Sequence, residues 1–396
     1  MKVLFLTPQL PYPQISGGVI KSFKLVEYLS SLHELTLGCF LKSVEDENNL
    51  PELKQLMPQP CVFAQALHIP RSPINLVRSY LAGVPLTIYR NQSTDFRQKI
   101  TALADDYDVI FVDHYLMFQY VPVSYRGRVV VHQHNAEFVM WSGFAKQIVN
   151  PLKKMLLNFE ARRIQNYEVA MCSRANVVLA APNDSEALIK AGAQACHFID
   201  TYHLGDEANL YLPYIQYNNT IKSVLFIGTL SWEANADGLL WFLSEIWPLI
   251  KKREQSVTFT IAGTCTDTLK EKLLQLEPEV QVLGFVDNLE ALYQTHRVFI
   301  APLRFGSGIK VKIVNSLCRG VPTVTTEEGA AGLNVKNGEH LFIARSADEF
   351  ANRVLCLLED KSMWLRFSLA SRQVMQENYT WDVVLNNVSE ALHSDI

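Results

Sequence analysis

The stretch Val298–Thr326, VFIAPLRFGSGIKVKIVNSLCRGVPTVTT, decides the fold. Val298–Ala301 is an apolar run of strand length, and the loop after it carries Gly306 and Gly308. A helix then follows and stops at Arg319-Gly320, ahead of Val321-Pro322 and a second strand, Thr323–Thr325. Strand, helix, strand with both strands apolar throughout is the signature of a parallel sheet covered on both faces.

The same alternation extends in both directions. Strands are predicted at Val3–Leu6, Leu35–Phe40, Val109–Val112, Val129–His132 and Val177–Ala180, and again at Val224–Ile227, Phe259–Ala262, Val280–Leu283, Val298–Ala301, Thr323–Thr325 and Leu341–Ile343. Segments of helical spacing lie between them, among them Ile20–Ser31, Ala234–Lys252 and Leu269–Gln275. The fold class is therefore α/β, doubly wound. The pattern runs twice, with a break near Asp206–Ile221 (DEANLYLPYIQYNNTI) that lacks clean periodicity. This predicts two Rossmann-like domains, 1–205 and 206–379, facing a central cleft in which ligands meet the strand ends.

Composition narrows the classes. At ~150 residues per domain, 396 residues give two domains, and 48% hydrophobic against 19% charged residues supplies their cores. The net charge of −4 excludes a generally basic nucleic-acid coat. It divides as 19 basic and 17 acidic side chains over residues 1–205, and 17 and 23 over the rest. No apolar run reaches the ~18 residues of a membrane span. Thr7-Pro8 cuts the opening run Val3–Leu6 short, which predicts a buried strand rather than a signal peptide. Seven scattered cysteines, never spaced as CxxC, predict reduced thiols in a cytoplasmic protein with neither a metal site nor a disulfide framework.

Three strand-end loops carry chemistry. Gly17-Gly18 allows close backbone approach and opens a helix whose N-terminus would face an anion; an ordinary glycine turn reads the same way. His134-Asn135-Ala136-Glu137 ends an apolar strand, where His134 would serve a hydroxyl group or simply satisfy the backbone beside the core. The third loop, within the opening quotation, brings Gly306, Gly308, a helix start and the cations Arg304, Lys310 and Lys312 together, the makings of a diphosphate cradle. Neither GxxxxGK[ST] nor GxGxxG is present.

On these residues, and on VLFIGTLSWEANADGLLWF, VQVLGFVDNLEALYQTHRVF and EGAAGLNVKNGEHLFIA around them, the chain resembles a bacterial family 4 glycosyltransferase of the GT-B fold. The resemblance spans nearly the whole length and is strongest over 223–360. It implies a retaining, metal-independent transfer of a sugar from a nucleotide diphosphate, UDP by default, to a saccharide or lipid-linked acceptor in cell-envelope or exopolysaccharide assembly. The second domain would hold the nucleotide with no separate cofactor. Lys310 and Arg304, with Lys312 behind them and the amides of Gly308 and Ile309, would neutralise the leaving diphosphate. Phe285-Val286 matches the turn at the nucleobase, Gly228-Thr229 the first strand's turn, Gly306 and Ser307 the loop, Gly18 the glycine loop, and His134 a residue that touches the transferred sugar. Tyr379-Thr380-Trp381 resembles the start of a last helix, about 380–396, crossing back to the first domain.

The resemblance also has departures. The family's Glu-x7-Glu pair falls on Ser307 and Asn315, the second standing where ribose hydroxyls are commonly held, and its strand-end arginine falls on Thr229-Leu230. Trp232 and Asn235 fit a subgroup loop, Gly-x-Leu-x-Trp-x-x-Asn. Two basic, apolar stretches, 70–97 and 150–163, are either solvated faces or places to rest on an anionic membrane. The other classes considered are a sugar-nucleotide-binding or regulatory protein without turnover, favoured by Ser307 and Asn315, and an epimerase, which would need carboxylates beyond Glu137 and Glu328.

Overall fold

Thirteen strands form two parallel sheets in the computed structural model, which describes residues 1–14, 17–57, 61–194, 197–202, 204–306 and 308–393. Ser307 and Cys196, both singled out in the sequence, lie outside the described residues. The strands are β1 Lys2–Thr7, β2 Glu34–Leu41, β3 Cys61–Ala66, β4 Val109–Asp113, β5 Arg128–His132, β6 Val177–Ala180, β7 His197–Asp200, β8 Ile221–Ile227, β9 Thr258–Ala262, β10 Gln281–Gly284, β11 His296–Ala301, β12 Thr323–Thr325 and β13 Phe342–Ile343. Their orders are β3-β2-β1-β4-β5-β6-β7 and β10-β9-β8-β11-β12-β13. Each order reverses direction once, between β1 and β4 and between β8 and β11, and ligands of such sheets bind beyond the strand ends at those points.

The sheets belong to two compact units, Met1–His203 with Asp382–Ile396, and Leu204–Trp381. In the first, Phe5 and Phe111 pair across β1 and β4 with rings stacked at 5.0 Å. The last helix, Trp381–His393, adds Val388, Ala391 and Leu392 to the core formed by Val3, Phe5, Leu25 and Leu29. Arg128 Nε, from β5, donates to the Ala391 carbonyl of that helix at 3.0 Å. In the second unit, Val224, Phe242, Phe259, Val298 and Val354 share one core.

Two edge strands escape the apolar-run rule. β3 (CVFAQA) is only half buried and β7 (HFID) has charged or polar ends, so neither shows the continuous pattern of a central strand. The predicted helix Ala234–Lys252 is present as Glu233–Arg253 but widens to i→i+5 bonding over Phe242–Ile246. Pro248 sits one residue beyond the start of the next α-helical segment, has no N–H to donate, and favours such a disruption. The aperiodic stretch after 206 is held by buried arginines instead of its own pattern. Arg372 donates to the carbonyls of Leu210 and Leu212, Arg319 to that of Pro213 at 3.2 Å, and Arg297 to that of Thr220 at 2.8 Å. The six described cysteines are free thiols. Among the described residues no helix is long and apolar enough to cross a membrane.

Gly238 allows the helix Glu233–Trp241 to lie against the loop after β11. A β-carbon there would meet the Pro302 carbonyl oxygen at 2.3 Å and its carbon at 3.0 Å, and a backbone cannot swing aside as a side chain does. Gly238→Ala should therefore cost about 1–3 kcal/mol, the usual penalty of overpacking, as a lower denaturation midpoint of the second unit.

Candidate active site

In the first unit the strand ends at the β1/β4 reversal converge on one carboxylate. Asp113, the last residue of β4, is fully buried. Its Oδ2 accepts from Ser22 Oγ at 2.5 Å, and its Oδ1 accepts from His132 Nδ1 at 2.6 Å and His134 Nε2 at 2.8 Å. Burial alone would push the Asp113 carboxyl up, but the charge and hydrogen bonds of His134 and His132 hold it well below the usual range. An ionised carboxylate only accepts, so both rings present N–H to it. His134 is thereby oriented with Nδ1 toward Gly18, where a β-carbon would lie 3.5 Å away. Asp113, His132 and His134 also bring ligand-type atoms within 4.8 Å of one another. As they stand, however, both rings converge on a single oxygen as donors.

Three residues here were not singled out in the sequence. Asp113 and His114 end a strand at the reversal point, and a polar pair closing the run VIFV is the signal that marks them. His114 adopts φ +89°, a region that costs a non-glycine residue energy and tends to be kept at functional sites. Lys21, one residue before Ser22, is buried with Nζ 3.3 Å from Thr201 Oγ1, and burial outweighs the attraction of Asp113 to bring its amine down to about 7. A cavity of about 540 Å³ opens above these residues, lined by Thr7, Gly18, Ser22, His114 and His134 among others. Glu137 is turned elsewhere: its Oε1 accepts from Trp141 Nε1 at 3.1 Å.

The second unit gathers its candidates at the β8/β11 reversal. Gly306 and Gly308 take φ +148° and +67°, which only glycine adopts readily, and the helix Val311–Arg319 starts just beyond. Lys310 is buried and its Nζ donates to the Gly308 carbonyl at 2.5 Å, closing the loop on itself. Lys312 reaches back to the turn after β8. Its Nζ donates to Asn235 Oδ1, lies 4.7 Å from the centre of the Phe226 ring and 5.7 Å from that of Trp232, and stands 3.0 Å from where a Gly228 β-carbon would be. Asn235 Nδ2 in turn donates to the Thr229 carbonyl at 2.7 Å, so Trp232 and Asn235 build the seat for this lysine. Lys312 has no carboxylate among its described partners; burial and then Lys310 lower its amine to about 7.

Two expected residues are engaged elsewhere. Arg304, expected on the diphosphate, makes a two-pronged ion pair with Asp237, Nε to Oδ2 at 2.8 Å and Nη2 to Oδ1 at 2.5 Å. Its charge is thus already balanced. Asn315, expected at ribose, accepts the Asp206 N–H at 2.7 Å through Oδ1 and pins the start of the second unit. Phe285 follows the end of β10 and is 75% exposed, with Val286 beside it half-buried.

The fold so described is that of GT-B glycosyltransferases. HepE of Anabaena, in complex with UDP and glucose, superposes with a TM-score of 0.69 at 17% identity, covering 99% of both chains. A variant of TarM from S. aureus, in complex with Fondaparinux, alpha-GlcNAc-glycerol and UDP, does so with a TM-score of 0.67 at 10% identity, covering 99% of this chain and all of the other. Residues 221–360, most of the second unit, match the family model for Glycosyl transferases group 1. Along the whole chain, an uncharacterized 44.6 kDa protein in the cps region of Klebsiella pneumoniae is 23% identical over 397 residues, 98% of each chain.

The histidine cluster sets a pH dependence. Burial drives His132 and His114 each down to about 3, whereas an unfolded imidazole titrates near ~6.5. Between those values the unfolded chain binds protons that the folded unit refuses, so stability falls as pH drops below about 6.5, by at most about 1.4 kcal/mol per pH unit per ring. Asp113 stays ionised in both states through most of that window and adds no slope until about pH 4. Glu168 and Glu137, raised by burial in the same unit, act in the opposite sense, so the ring contribution is read by difference: from pH 7 to pH 5 the His114→Asn midpoint should fall less, or rise more, than the native one.

Proposed function

We propose that the protein is a glycosyltransferase that moves a sugar from a nucleotide-diphospho-sugar, most simply a UDP-sugar, to a saccharide or lipid-linked acceptor. The observation that carries the reading is Lys312: an amine at the sheet's reversal point, with no carboxylate among its described partners, beside a helix N-terminus and two positive-φ glycines. Backbone amides, helix dipole and ammonium groups at one spot favour a polyphosphate. The choice of UDP rests on the HepE complexes with UDP and with UDP-glucose. The cps-region relative supports a place in cell-envelope polysaccharide assembly.

In this reading Lys312, Lys310 and the amides of Gly308 and Ile309 hold the diphosphate and take up charge as it leaves, a task for which no bound metal is needed. The exposed Phe285 offers its face to the base, with Val286 backbone alongside. His134, steered by Asp113, touches the transferred sugar. Transfer proceeds with retention: the anomeric carbon–oxygen bond to the diphosphate breaks, the acceptor oxygen bonds to that carbon from the same face, and its proton passes to the departing phosphate oxygen. Arg304 supports the loop through Asp237 rather than serving the phosphate. A second reading, nucleotide-sugar binding without turnover, draws on Asn315, whose carbonyl is already engaged by Asp206.

Calorimetric titration with UDP, GDP, TDP, CDP and ADP sugars tests the proposal; binding of one is expected, and none across the panel would overturn it. Lys312→Gln should weaken transfer by about 10²-fold, and Arg304→Gln by far less. Because the free Lys312 amine sits near 7, nucleotide binding above that pH must first take up a proton. Affinity should therefore fall from pH 7 to 9 with measurable proton uptake, and Lys312→Gln should abolish the Lys312-linked part of both effects.

Peripheral membrane association and a cytoplasmic location belong to the same proposal. Leu81, Val149, Leu152, Met155 and Phe159 are exposed, Tyr80 and Phe159 bring the helices Pro73–Leu81 and Pro151–Cys172 together with rings 5.8 Å apart, and Lys153 and Lys154 flank them. Apolar groups beside lysines suit an anionic bilayer. Sedimentation with phosphatidylglycerol vesicles should exceed that with phosphatidylcholine, and Val149→Asp with Leu152→Asp should abolish the difference.

A further inference from the structure

The cavity of the first unit carries a second set of cations that the nucleotide does not account for. β1, β2, β3 and β4 are parallel neighbours, so their carboxyl ends share one rim. Lys42 follows β2, His68 and Ile69 follow β3, and Arg90 and Asn91 follow the short helix Leu86–Tyr89; all five line the 540 Å³ cavity together with His134.

The two cations are held in place by neutral hydrogen-bond partners. Lys42 Nζ donates to Asn91 Oδ1 at 2.7 Å and lies 4.8 Å from the centre of the Phe40 ring. Asn91 is itself fixed through Nδ2 to the Thr87 carbonyl at 2.9 Å. Arg90 Nε donates to the Ile69 carbonyl at 2.7 Å, which anchors one edge of the guanidinium. Asp46, four residues further on, spends its Oδ2 on the backbone N–H of Lys42 at 2.7 Å. Burial first and Arg90 second bring the Lys42 amine down to about 8 against the weaker pull of Asp46, and burial and Arg71 lower Arg90. Among the described residues no Asp or Glu lines the cavity. The repulsion between Lys42 and Arg90 exceeds the attraction of Asp46 and raises the energy of the empty site, and an oxyanion relieves it.

We propose that this cavity is an oxyanion subsite for the acceptor, which carries a carboxylate, as in an acidic sugar, or a phosphate close to the hydroxyl that is glycosylated. The inference rests on reading the protein as a transferase whose second unit holds the nucleotide. That reading assigns the donor's diphosphate to Lys312 of the second unit, and the proposal assigns Lys42 and Arg90 of the first unit to an anion of the acceptor. The volume suits a bound group of one or two sugar rings. His134, assigned above to the transferred sugar, lines the same cavity, which puts the anion next to the point of transfer.

The test is titration of the full chain, in saturating UDP, with D-glucuronate, inorganic pyrophosphate and D-glucose. At least one anion should bind at least 10-fold tighter than glucose; glucuronate alone assigns an acidic sugar, pyrophosphate alone a phosphorylated acceptor. Lys42→Gln with Arg90→Gln should remove that binding by 10-fold or more while leaving UDP binding unchanged. Lys312→Gln should do the reverse, which separates the two sites even where pyrophosphate visits both. Glucose binding as well as both anions, or anion binding that survives Lys42→Gln with Arg90→Gln, would overturn the proposal. The comparison of glucuronate with glucose needs only the native chain, so a variant that fails to fold does not rescue the idea. Failure of UDP to bind would instead defeat the nucleotide reading, with the cavity judged separately by its own titration.

Discussion

One buried carboxylate organises the first unit. Asp113 holds the helix Gly17–Leu32 through Ser22, the end of β5 through His132, and the following loop through His134, so three chain segments share a single charge. A carboxylate taken out of water is expensive unless hydrogen bonds surround it, and here three donors do. Losing one partner of such a cluster typically costs about 3–5 kcal/mol, because the remaining charge stays buried. The arrangement also decides chemistry: with Asp113 ionised, the tautomer of His134 is set, and its second nitrogen is turned toward Gly18. Fold and site therefore depend on the same atom pair.

The second unit seats Lys312 without an acid among its described partners. Its loop is shaped by positive-φ glycines and closed by Lys310 on the Gly308 carbonyl, while Asn235 bridges Lys312 to the turn after β8. Neutral amides orient an ammonium group without cancelling its charge. An aspartate in place of Asn235 would balance Lys312 and make the site a structural ion pair, much as Asp237 does for Arg304. The two cations of the same loop thus differ in role because of what the helix Glu233–Trp241 offers each of them.

The central strands were legible because they are buried on both faces and leave continuous apolar runs; β3 and β7, at the edges, leave none. The shape of the loop carrying Gly306 and Gly308 was legible because glycines and a helix start adjoin in sequence. What the sequence did not carry was pairing across distance. Arg304 meets Asp237 from 67 residues away and Asn315 meets Asp206 from 109, and nothing in the local pattern of either names its partner. Asp113 and His114 were missed for a related reason. A polar pair closing an apolar run is common, and only the strand order, with β1 beside β4, places that pair at the reversal point.

The same strand order gives a physical account of one departure from the resembling family. Thr229-Leu230 stand where that family has a strand-end arginine, which would leave the turn after β8 without a cation. The Lys312 amine stands 3.0 Å from where a Gly228 β-carbon would be, reaching the turn from the helix after β11 instead of from the strand itself. Because β8 and β11 are adjacent and parallel, their ends lie close enough for one element to supply what the other lacks. Gly228 is part of that exchange: any side chain there would press on the ammonium, so the cation's route and the glycine's identity constrain each other. Position in space, more than position in a motif, is what a phosphate would read.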